Sequence, residues 1–110
     1  MSHVTTHVLD ATTGAPAVGV GVALHAHGAD GPVEIARTVT DVDGRVADLG
    51  PDALEPGTYQ VKFDTGGYFS AQERATFYPE VVVTFAIAGP EHYHVPLLLS
   101  PFGYSTYRGS

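Results

Sequence analysis

The sequence predicts an all-β protein in which short strands form a β-sandwich. Two observations support this prediction. Thirteen glycines and eight prolines interrupt the 110 residues at short intervals, as turn residues do. The runs between them are rich in valine, threonine, tyrosine and phenylalanine, which favour extended backbone. Seven or eight such runs with one short helix candidate are typical of two packed sheets.

Three strands are predicted in the first half of the chain, separated by turns. The strands cover 4–10, 18–27 and 33–40, and the intervening loop and turns are 12–16, 28–32 and 41–45. Alternation in the second strand places Val20, Val22 and Leu24 on one face of the pleat. The Asp43-Gly44 pair is the strongest turn signal, because Asp-Gly readily adopts tight hairpin turns.

The second half adds four strands and the helix candidate. The strands cover 58–64, 80–88, 92–100 and 103–108, with breaks at 56–57, 89–90 and 100–101. Alternation in the first of them indicates one buried face, formed by Tyr59, Val61 and Phe63. Three consecutive valines in the strand at 80–88 indicate burial on both faces. Residues 65–74 predict a short helix with Thr65 as its cap.

The length predicts a single domain spanning 1–110. A chain of this size buries roughly two-thirds of its unfolded surface, so its core is thin and association with further copies would stabilise it. No internal repeat, linker or low-complexity tract is visible in the sequence.

Charge and composition exclude several classes of partner. The net charge is -7 and only five Lys and Arg residues are present, which disfavours nucleic acid and anionic membranes. The apolar runs are too short to cross a bilayer. Without cysteine there is no disulfide, thiolate metal site or cysteine nucleophile, and a reducing compartment fits. Neither a signal peptide at 1–4 nor the peroxisomal Ser-Lys-Leu ending is seen, so we expect a cytoplasmic protein.

Two pairs of histidines share a strand face, because residues two apart point the same way. The pairs are His25 with His27 and His92 with His94. A metal site needs three or four converging ligands, and no third ligand stands at a telling spacing. Half-exposed or hydrogen-bonded strand histidines are therefore the favoured interpretation, with a metal site as the alternative.

Three features go beyond ordinary strand and turn chemistry. His7 lies in the middle of the first strand, Arg45 directly follows the Asp-Gly turn, and the sequence ends in Tyr-Arg-Gly-Ser at 107–110. A solvated charge at a turn and a frayed tail are the ordinary interpretations. The tail nevertheless combines an aromatic ring, a guanidinium, a flexible glycine and a terminal carboxylate, so a functional tail remains open.

Five segments together resemble the 5-hydroxyisourate hydrolases, the transthyretin-related proteins of urate catabolism. The segments are 5–10, 40–45, 77–81, 92–101 and 103–110. The resemblance covers essentially the whole chain, and its C-terminal part is the most specific. Phe102 stands where many relatives have tyrosine, outside the core of the motif.

The resemblance implies a transthyretin (prealbumin)-like sandwich of two four-stranded sheets. It also implies a homotetramer, built as a dimer of dimers, with active sites in the clefts between dimers. No cofactor or metal is implied. The catalytic residues carried over are His7, Arg45, His94 and Ser110, and the substrate-binding residues are His7, Arg45, Tyr107, Arg108 and Gly109.

The implied reaction opens a ring amide of 5-hydroxyisourate and yields 2-oxo-4-hydroxy-4-carboxy-5-ureidoimidazoline. Either His7 or His94 would activate water, and the sequence leaves that choice open. Arg45 would stabilise the oxyanion, Tyr107 would line the pocket, and Ser110 would offer its hydroxyl or its terminal carboxylate. The first alternative is a transthyretin-like small-molecule carrier without catalysis, although vertebrate transthyretins lack this ending and this set of side chains. A sandwich domain serving adhesion or assembly is the second.

Overall fold

Two β-sheets face each other across one hydrophobic core. The computed structural model describes residues 2–110; Met1, the first residue of the predicted 1–110 domain, lies outside the described residues. In chain order the elements are β1 Val4–Asp10, β2 Ala15–Pro16, β3 Gly21–Gly28, β4 Gly31–Val39, β5 Arg45–Val46, β6 Gly57–Asp64, α1 Thr65–Ser70, β7 Val81–Ile87, β8 Tyr93–Ser100 and β9 Gly103–Thr106. Within residues 2–110 no helix is long and apolar enough to span a membrane.

The first sheet has the strand order β4-β3-β6-β7, and every neighbouring pair is antiparallel. Tight turns connect β3 to β4. The pairing of β3 with β4 shifts register between Leu24 and His25. Strand β7 forms one edge of this sheet.

The second sheet is built around the parallel pair β1 and β8, which run side by side from Val4↔Tyr93 to Asp10↔Leu99. Strand β9 pairs with β8 and forms an edge. The two-residue strands β2 and β5 both pair with the other side of β1. The resemblance implied a four-stranded sheet here; the path β2-β1-β8-β9 has four strands, and β5 adds a fifth beside β1.

Alternation along the strands produces the core. The largest fully buried side chains come from both sheets, from α1 and from connecting segments, and they are Phe63, Phe69, Leu24, Leu49, Leu97, Leu99, Val4, Val8, Val20, Val22, Val61 and Val81. The predicted inward faces of the strands at 18–27 and 58–64 are confirmed, since all six of their named residues are buried. Burial of apolar surface at roughly 25 cal/mol per Å² is the main term that stabilises the sandwich.

The helix differs from its prediction at both ends. It starts at Thr65, but Asp64 is the cap: its carboxylate accepts a hydrogen bond from the Gly67 amide at 3.0 Å. It ends at Ser70 rather than near 74, because Glu73 takes a left-handed φ of 54°. The Arg74 amide then bonds back to the Phe69 carbonyl at 3.0 Å, which closes a Schellman-type end.

Three strand predictions need correction. Strand β7 is not buried on both faces: Val81 is buried while Val82 is 37% exposed, because Val82 lies on the outer face of the sheet, which is exposed. The predicted loop at 12–16 includes β2, whose two residues complete a pairing with the end of β1. The last strand ends at Thr106 instead of Arg108, because regular pairing with β8 stops at Leu97.

An ion pair ties the chain beyond α1 to the end of β1. Arg74 Nη1 donates to Asp10 Oδ2 at 2.8 Å, and the Tyr68 hydroxyl donates to the same oxygen at 2.8 Å. The Thr12 amide donates to the other carboxylate oxygen. Burial alone would raise the pKa of Asp10, but these hydrogen bonds outweigh it and the pKa lies below its ordinary value.

Candidate active site

The outer face of the β1–β8 pair collects most of the side chains that the sequence singled out. Residues 5, 7 and 9 of β1 and residues 94, 96 and 98 of β8 point away from the core. The parallel register places Thr5 opposite His94. On the other side of β1, the antiparallel register places His7 opposite Arg45. Two histidines and an arginine that are distant in sequence therefore share one patch of sheet.

A built turn holds Arg45 at this patch. The Asp41 carboxylate accepts hydrogen bonds from the amides of Asp43 at 2.9 Å and Arg45 at 3.0 Å. These bonds lower the pKa of Asp41. Gly44 has a φ of +71°, and its carbonyl accepts from the Val8 amide at 2.7 Å. A Cβ atom at this glycine would overlap the Val8 carbonyl oxygen, so the turn can lie against β1 only because residue 44 has no side chain.

The His94 imidazole is held on two sides. Its Nδ1 lies 2.8 Å from the Thr5 hydroxyl oxygen. Its other side packs against Gly109, where a Cβ atom would lie 2.5 Å from Cδ2 of the ring. The Gly109 amide also donates to the His94 carbonyl at 2.9 Å. Because Nδ1 is engaged, Nε2 is the nitrogen left available for chemistry.

The electrostatic surroundings keep His94 neutral. Partial burial is the largest cause that lowers its pKa, and the positive charge of Arg45 and the neighbouring rings of His92 and His7 add to it. A neutral imidazole at pH 7 can accept a proton. Arg45, in turn, is exposed and forms no ion pair within residues 2–110, so its charge is available to a ligand.

A cleft of about 410 Å³ lies beside Arg45 and His94, whereas His7, opposite Arg45 on β1, is not among the residues that line it. Its charged and polar lining includes Arg45, His94 and Ser110, together with Thr5 and His92. A volume in this range suits a small heterocyclic molecule. A positive guanidinium, a neutral imidazole and a hydroxyl around one cleft can bind a carbonyl compound and move a proton beside it.

The tail divides between two places. Ser110 lines the cleft, and Gly109 packs against His94. Tyr107 and Arg108 instead line a second, mostly apolar pocket of about 330 Å³ near β7, with the Arg108 guanidinium carbon 4.4 Å from the centre of the Tyr93 ring. His94 borders both pockets, so the tail wraps around this histidine.

The two predicted histidine pairs have different surroundings in the structure. His92 and His94 stack with their ring centres 6.5 Å apart. His25 lies in the other sheet, with Nε2 at 3.8 Å from the Glu34 carboxylate, and His27 is exposed. In the part of the chain that the structure describes, no three His, Asp or Glu side chains converge as metal ligands.

Sequence reasoning missed four residues that line the cleft, namely Thr5, Thr6, Val46 and Ala47. Thr5 contacts His94 directly, and it also contacts His92, whose role the motif left uncertain. The available signal was its position two residues before His7, which puts both side chains on the same strand face. The partner across the sheet could not be known without the parallel register.

Comparison with known proteins agrees with the fold. The model of the HIUase/Transthyretin family matches residues 4–109. A 5-hydroxyisourate hydrolase from Salmonella dublin is 51% identical over 106 residues, which cover 94% of this chain and 78% of the relative. The structure of Klebsiella pneumoniae 5-hydroxyisourate hydrolase has a TM-score of 0.89 at 38% identity, covering 100% of this chain and 94% of that one. Transthyretin from Sparus aurata has a TM-score of 0.92 at 34% identity, covering 99% and 97%.

The fold and the cleft define a transthyretin-like β-sandwich that carries a histidine–arginine site. Within that class, the chain belongs to the HIUase/Transthyretin family. The resemblance inferred from the five sequence segments is thereby confirmed, and so is the transthyretin-like architecture.

Proposed function

We propose that this protein hydrolyses 5-hydroxyisourate by opening a ring amide. The observation that supports this most is a neutral His94, with its pKa lowered by burial and by Arg45, in one cleft with that arginine. Amide hydrolysis needs a base for water and a positive group for the oxyanion, and the cleft offers both. The hydrolases from Salmonella dublin and Klebsiella pneumoniae carry this activity in their names.

His94 is the stronger candidate for the general base. Its lowered pKa keeps it unprotonated at pH 7, and Nε2 stays free while Thr5 engages Nδ1. Water bound at Nε2 loses a proton to the ring as it attacks the amide carbonyl. His7, next to Arg45 on the same sheet face, then serves to orient the substrate or to donate a proton to the leaving nitrogen.

Arg45 stabilises the negative charge that develops on the carbonyl oxygen. A guanidinium is a positive group that offers a planar set of hydrogen-bond donors. Ser110, which lines the same cleft, hydrogen-bonds the substrate. Gly109 lets the tail approach the His94 ring, and Tyr107 and Arg108 anchor the tail in the neighbouring pocket, from which they help to enclose the substrate.

A carrier function is the competing proposal, favoured by the likeness to Sparus aurata transthyretin. A carrier needs a fitted apolar site and no reactive groups, whereas this cleft brings a free guanidinium and an unprotonated imidazole together. Equilibrium binding of thyroxine, measured by calorimetry beside the hydrolase assay, separates the two. Binding of thyroxine without hydrolysis would favour the carrier.

The assembly that we propose is a homotetramer, a dimer of dimers. Strands β7 and β9 are both unpaired edges, and one pocket is lined from β7 and from the residues after β9, so the two edges lie on one side of the sandwich. Apolar residues there stay exposed, such as Tyr104 at 43%. Exposed strand edges favour pairing with a second copy.

Two such dimers meeting through the outer face of the β1–β8 pair would enclose the cleft. Light scattering after size exclusion is then expected to give four copies of the 11.5 kDa chain. A monomer with full activity would contradict this assembly.

We place the protein in the cytoplasm as a proposal, supported by a cysteine-free composition that suits a reducing compartment. Fractionation of the native cells with an antibody against the chain tests it.

The proposed reaction is tested by following freshly prepared 5-hydroxyisourate spectrophotometrically, with and without the protein. We expect its decay to accelerate well above the spontaneous rate, in proportion to protein concentration. Decay at the spontaneous rate with a folded, correctly assembled protein would overturn the proposal.

A further inference from the structure

The Thr5 hydroxyl lies between two imidazole rings. Its oxygen is 2.8 Å from Nδ1 of His94 and 2.8 Å from Nε2 of His92. A threonine hydroxyl has a single proton, so it can donate to one ring only and accepts from the other. The three groups therefore form a continuous hydrogen-bonded chain.

This hydrogen-bonded chain leads from a partly buried imidazole ring to an exposed one. His94 is half-buried between Thr5 and Gly109, whereas His92 lies on the protein surface. The two rings are nearly parallel, at 21°, with their centres 6.5 Å apart. That separation is too long for a direct hydrogen bond between the rings, and the hydroxyl bridges it.

The proposed reaction requires a path for a proton, and the hydrogen-bonded chain of His94, Thr5 and His92 offers one. Hydrolysis of a ring amide to a carboxylic acid and a ureido nitrogen releases one proton at pH 7, because the acid ionises and a ureido nitrogen is not basic. The base that accepts the proton from water must therefore lose a proton in each cycle. With substrate in the cleft, the Nε2 side of His94 is covered, and Nδ1 is the side that leads to solvent.

We propose that Thr5 is a positioning residue that sets the tautomer of His94, and that His92 is the proton exit. This rests on the proposed function. In the resting state, His94 Nδ1–H donates to Thr5 and the Thr5 hydroxyl donates to His92 Nε2, so that His94 Nε2 is the lone-pair base. When Nε2 takes a proton from water, the Nδ1 proton passes to Thr5 while the Thr5 proton passes to His92. His92 becomes the imidazolium and releases a proton from Nδ1 to water. After the product leaves, the Nε2 proton of His94 passes to solvent water and the transfers reverse, with His92 Nδ1 taking up a proton. Each cycle therefore releases one proton and restores the Nδ1–H tautomer of His94.

The Thr5 part can be tested without substrate. Nitrogen-15 NMR of the His94 ring is compared in the wild type, Thr5→Val and Thr5→Ser, at a pH where the ring is neutral. Valine has the shape of threonine without the hydroxyl, and serine keeps the hydroxyl. We expect the Nδ1–H tautomer in the wild type and Thr5→Ser, and its loss in Thr5→Val. An Nε2–H tautomer in the wild type, or no change in Thr5→Val, would overturn the assignment.

Turnover gives the second measurement of Thr5. We expect kcat of Thr5→Val to fall by roughly 10- to 100-fold with KM nearly unchanged, the range typical when the partner that orients a functional histidine is removed. Thr65→Val is the matched control, since Thr65, like Thr5, is a buried threonine. The Thr65 hydroxyl donates to the Tyr78 carbonyl at 2.6 Å, and Thr65 does not line the cleft. If Thr65→Val lowers kcat as much, the effect of Thr5→Val is structural.

The exit is tested with His92→Gln in buffers that contain increasing imidazole. We expect kcat to fall and to recover with imidazole concentration, because a small base in solution replaces the lost ring. Full kcat in His92→Gln, or no recovery in imidazole, would rule out the exit. If the wild type has no hydrolase activity, the proposed function and the role of His92 as proton exit are both wrong. The NMR measurement of the His94 tautomer would still test the role of Thr5.

Discussion

Gly109 has no room for a side chain because the His94 ring occupies that space: a Cβ atom at residue 109 would lie 2.5 Å from Cδ2 of the imidazole and 3.2 Å from Cγ of Pro96. The tail and the histidine are therefore fitted to each other. This contact gives the Tyr-Arg-Gly-Ser ending a physical role, since the glycine lets the chain pass across the ring that we assign as the base.

Gly109→Ala is expected to lower activity with little loss of stability. The added methyl must displace the imidazole or lift the tail, and a misplacement of about 1 Å can cost on the order of 100-fold in rate. The measurement is kcat/KM with thermal unfolding beside it. Gly103→Ala is the control, because a Cβ there meets only Ser100 Oγ, at an ordinary 3.7 Å. Equal activity of the two variants would contradict the fitted contact.

His94→Asn removes the proposed base and keeps a polar side chain of similar reach. We expect kcat to fall by roughly 10²- to 10⁴-fold, the contribution typical of general base catalysis. The assembled state should persist, as size exclusion would check. His27→Asn in the other sheet is the control, since that ring is exposed and remote from the cleft. An unchanged turnover number in His94→Asn would exclude His94 as the base.

Arg45→Gln should raise the pKa of His94. The guanidinium charge is one of the causes that lower this pKa, so its removal makes the protonated ring less unfavourable. An NMR titration of His94 then shows its midpoint at higher pH than in the wild type. In the wild type, the pKa of His94 lies below 6.5. The unprotonated base form, and with it kcat/KM, therefore declines as pH falls through that pKa. Arg37→Gln, in the other sheet, should leave the midpoint in place.

Gly44→Ala should destabilise the protein more than the same change at Gly14. Both glycines have a positive φ, +71° and +74°, and each alanine would therefore meet a backbone cost of about 1 kcal/mol. Around Gly14 the space is open, whereas at Gly44 the methyl would overlap the Val8 carbonyl oxygen. Denaturant unfolding measures the difference. Equal losses would mean that the turn is not pressed against β1.

Acid should weaken the sandwich through Asp10. Its folded pKa lies below the ordinary 3.8, so its contribution is fully present above about that pH and is lost as pH falls through the folded value. Asp10→Asn leaves Arg74 without its partner and is expected to cost about 3 kcal/mol at pH 7. The difference in the free energy of unfolding between Asp10→Asn and the wild type, measured by urea unfolding, should become smaller at pH 2 to 3. If this difference in unfolding free energy does not change with pH, the Asp10–Arg74 ion pair is excluded as its cause.

Local pattern predicted much of the fold. The run of β-favouring residues identified β1 at its observed bounds, and alternation identified the inward faces of the strands predicted at 18–27 and 58–64. The valines of β7 led to a wrong prediction because residue type does not show whether the outer face of a sheet is covered. The helix boundary was missed because Glu73, which is not a glycine, takes the left-handed conformation that ends it.

The sequence nominated candidate site residues but not the contacts between them. His7, Arg45 and His94 entered through the family resemblance, and composition alone left each of them with an ordinary interpretation. The role of Thr5 depends on the parallel pairing of β1 with β8, and no spacing in the sequence encodes which strand lies beside which. The turning of Arg108 onto Tyr93 likewise depends on where the tail crosses β8.

The pairing of β1 with β8 has a consequence for how activity is acquired. The Thr5–His94 contact joins residues that are 89 positions apart, among the longest loop closures in the chain. Closures of this kind carry a large entropic cost and slow the folding of β proteins. The β3–β4 hairpin and the β6–β7 pair can form earlier because their partners are nearer in sequence. Catalytic competence in this protein therefore arises late in folding, when its first and last long strands meet.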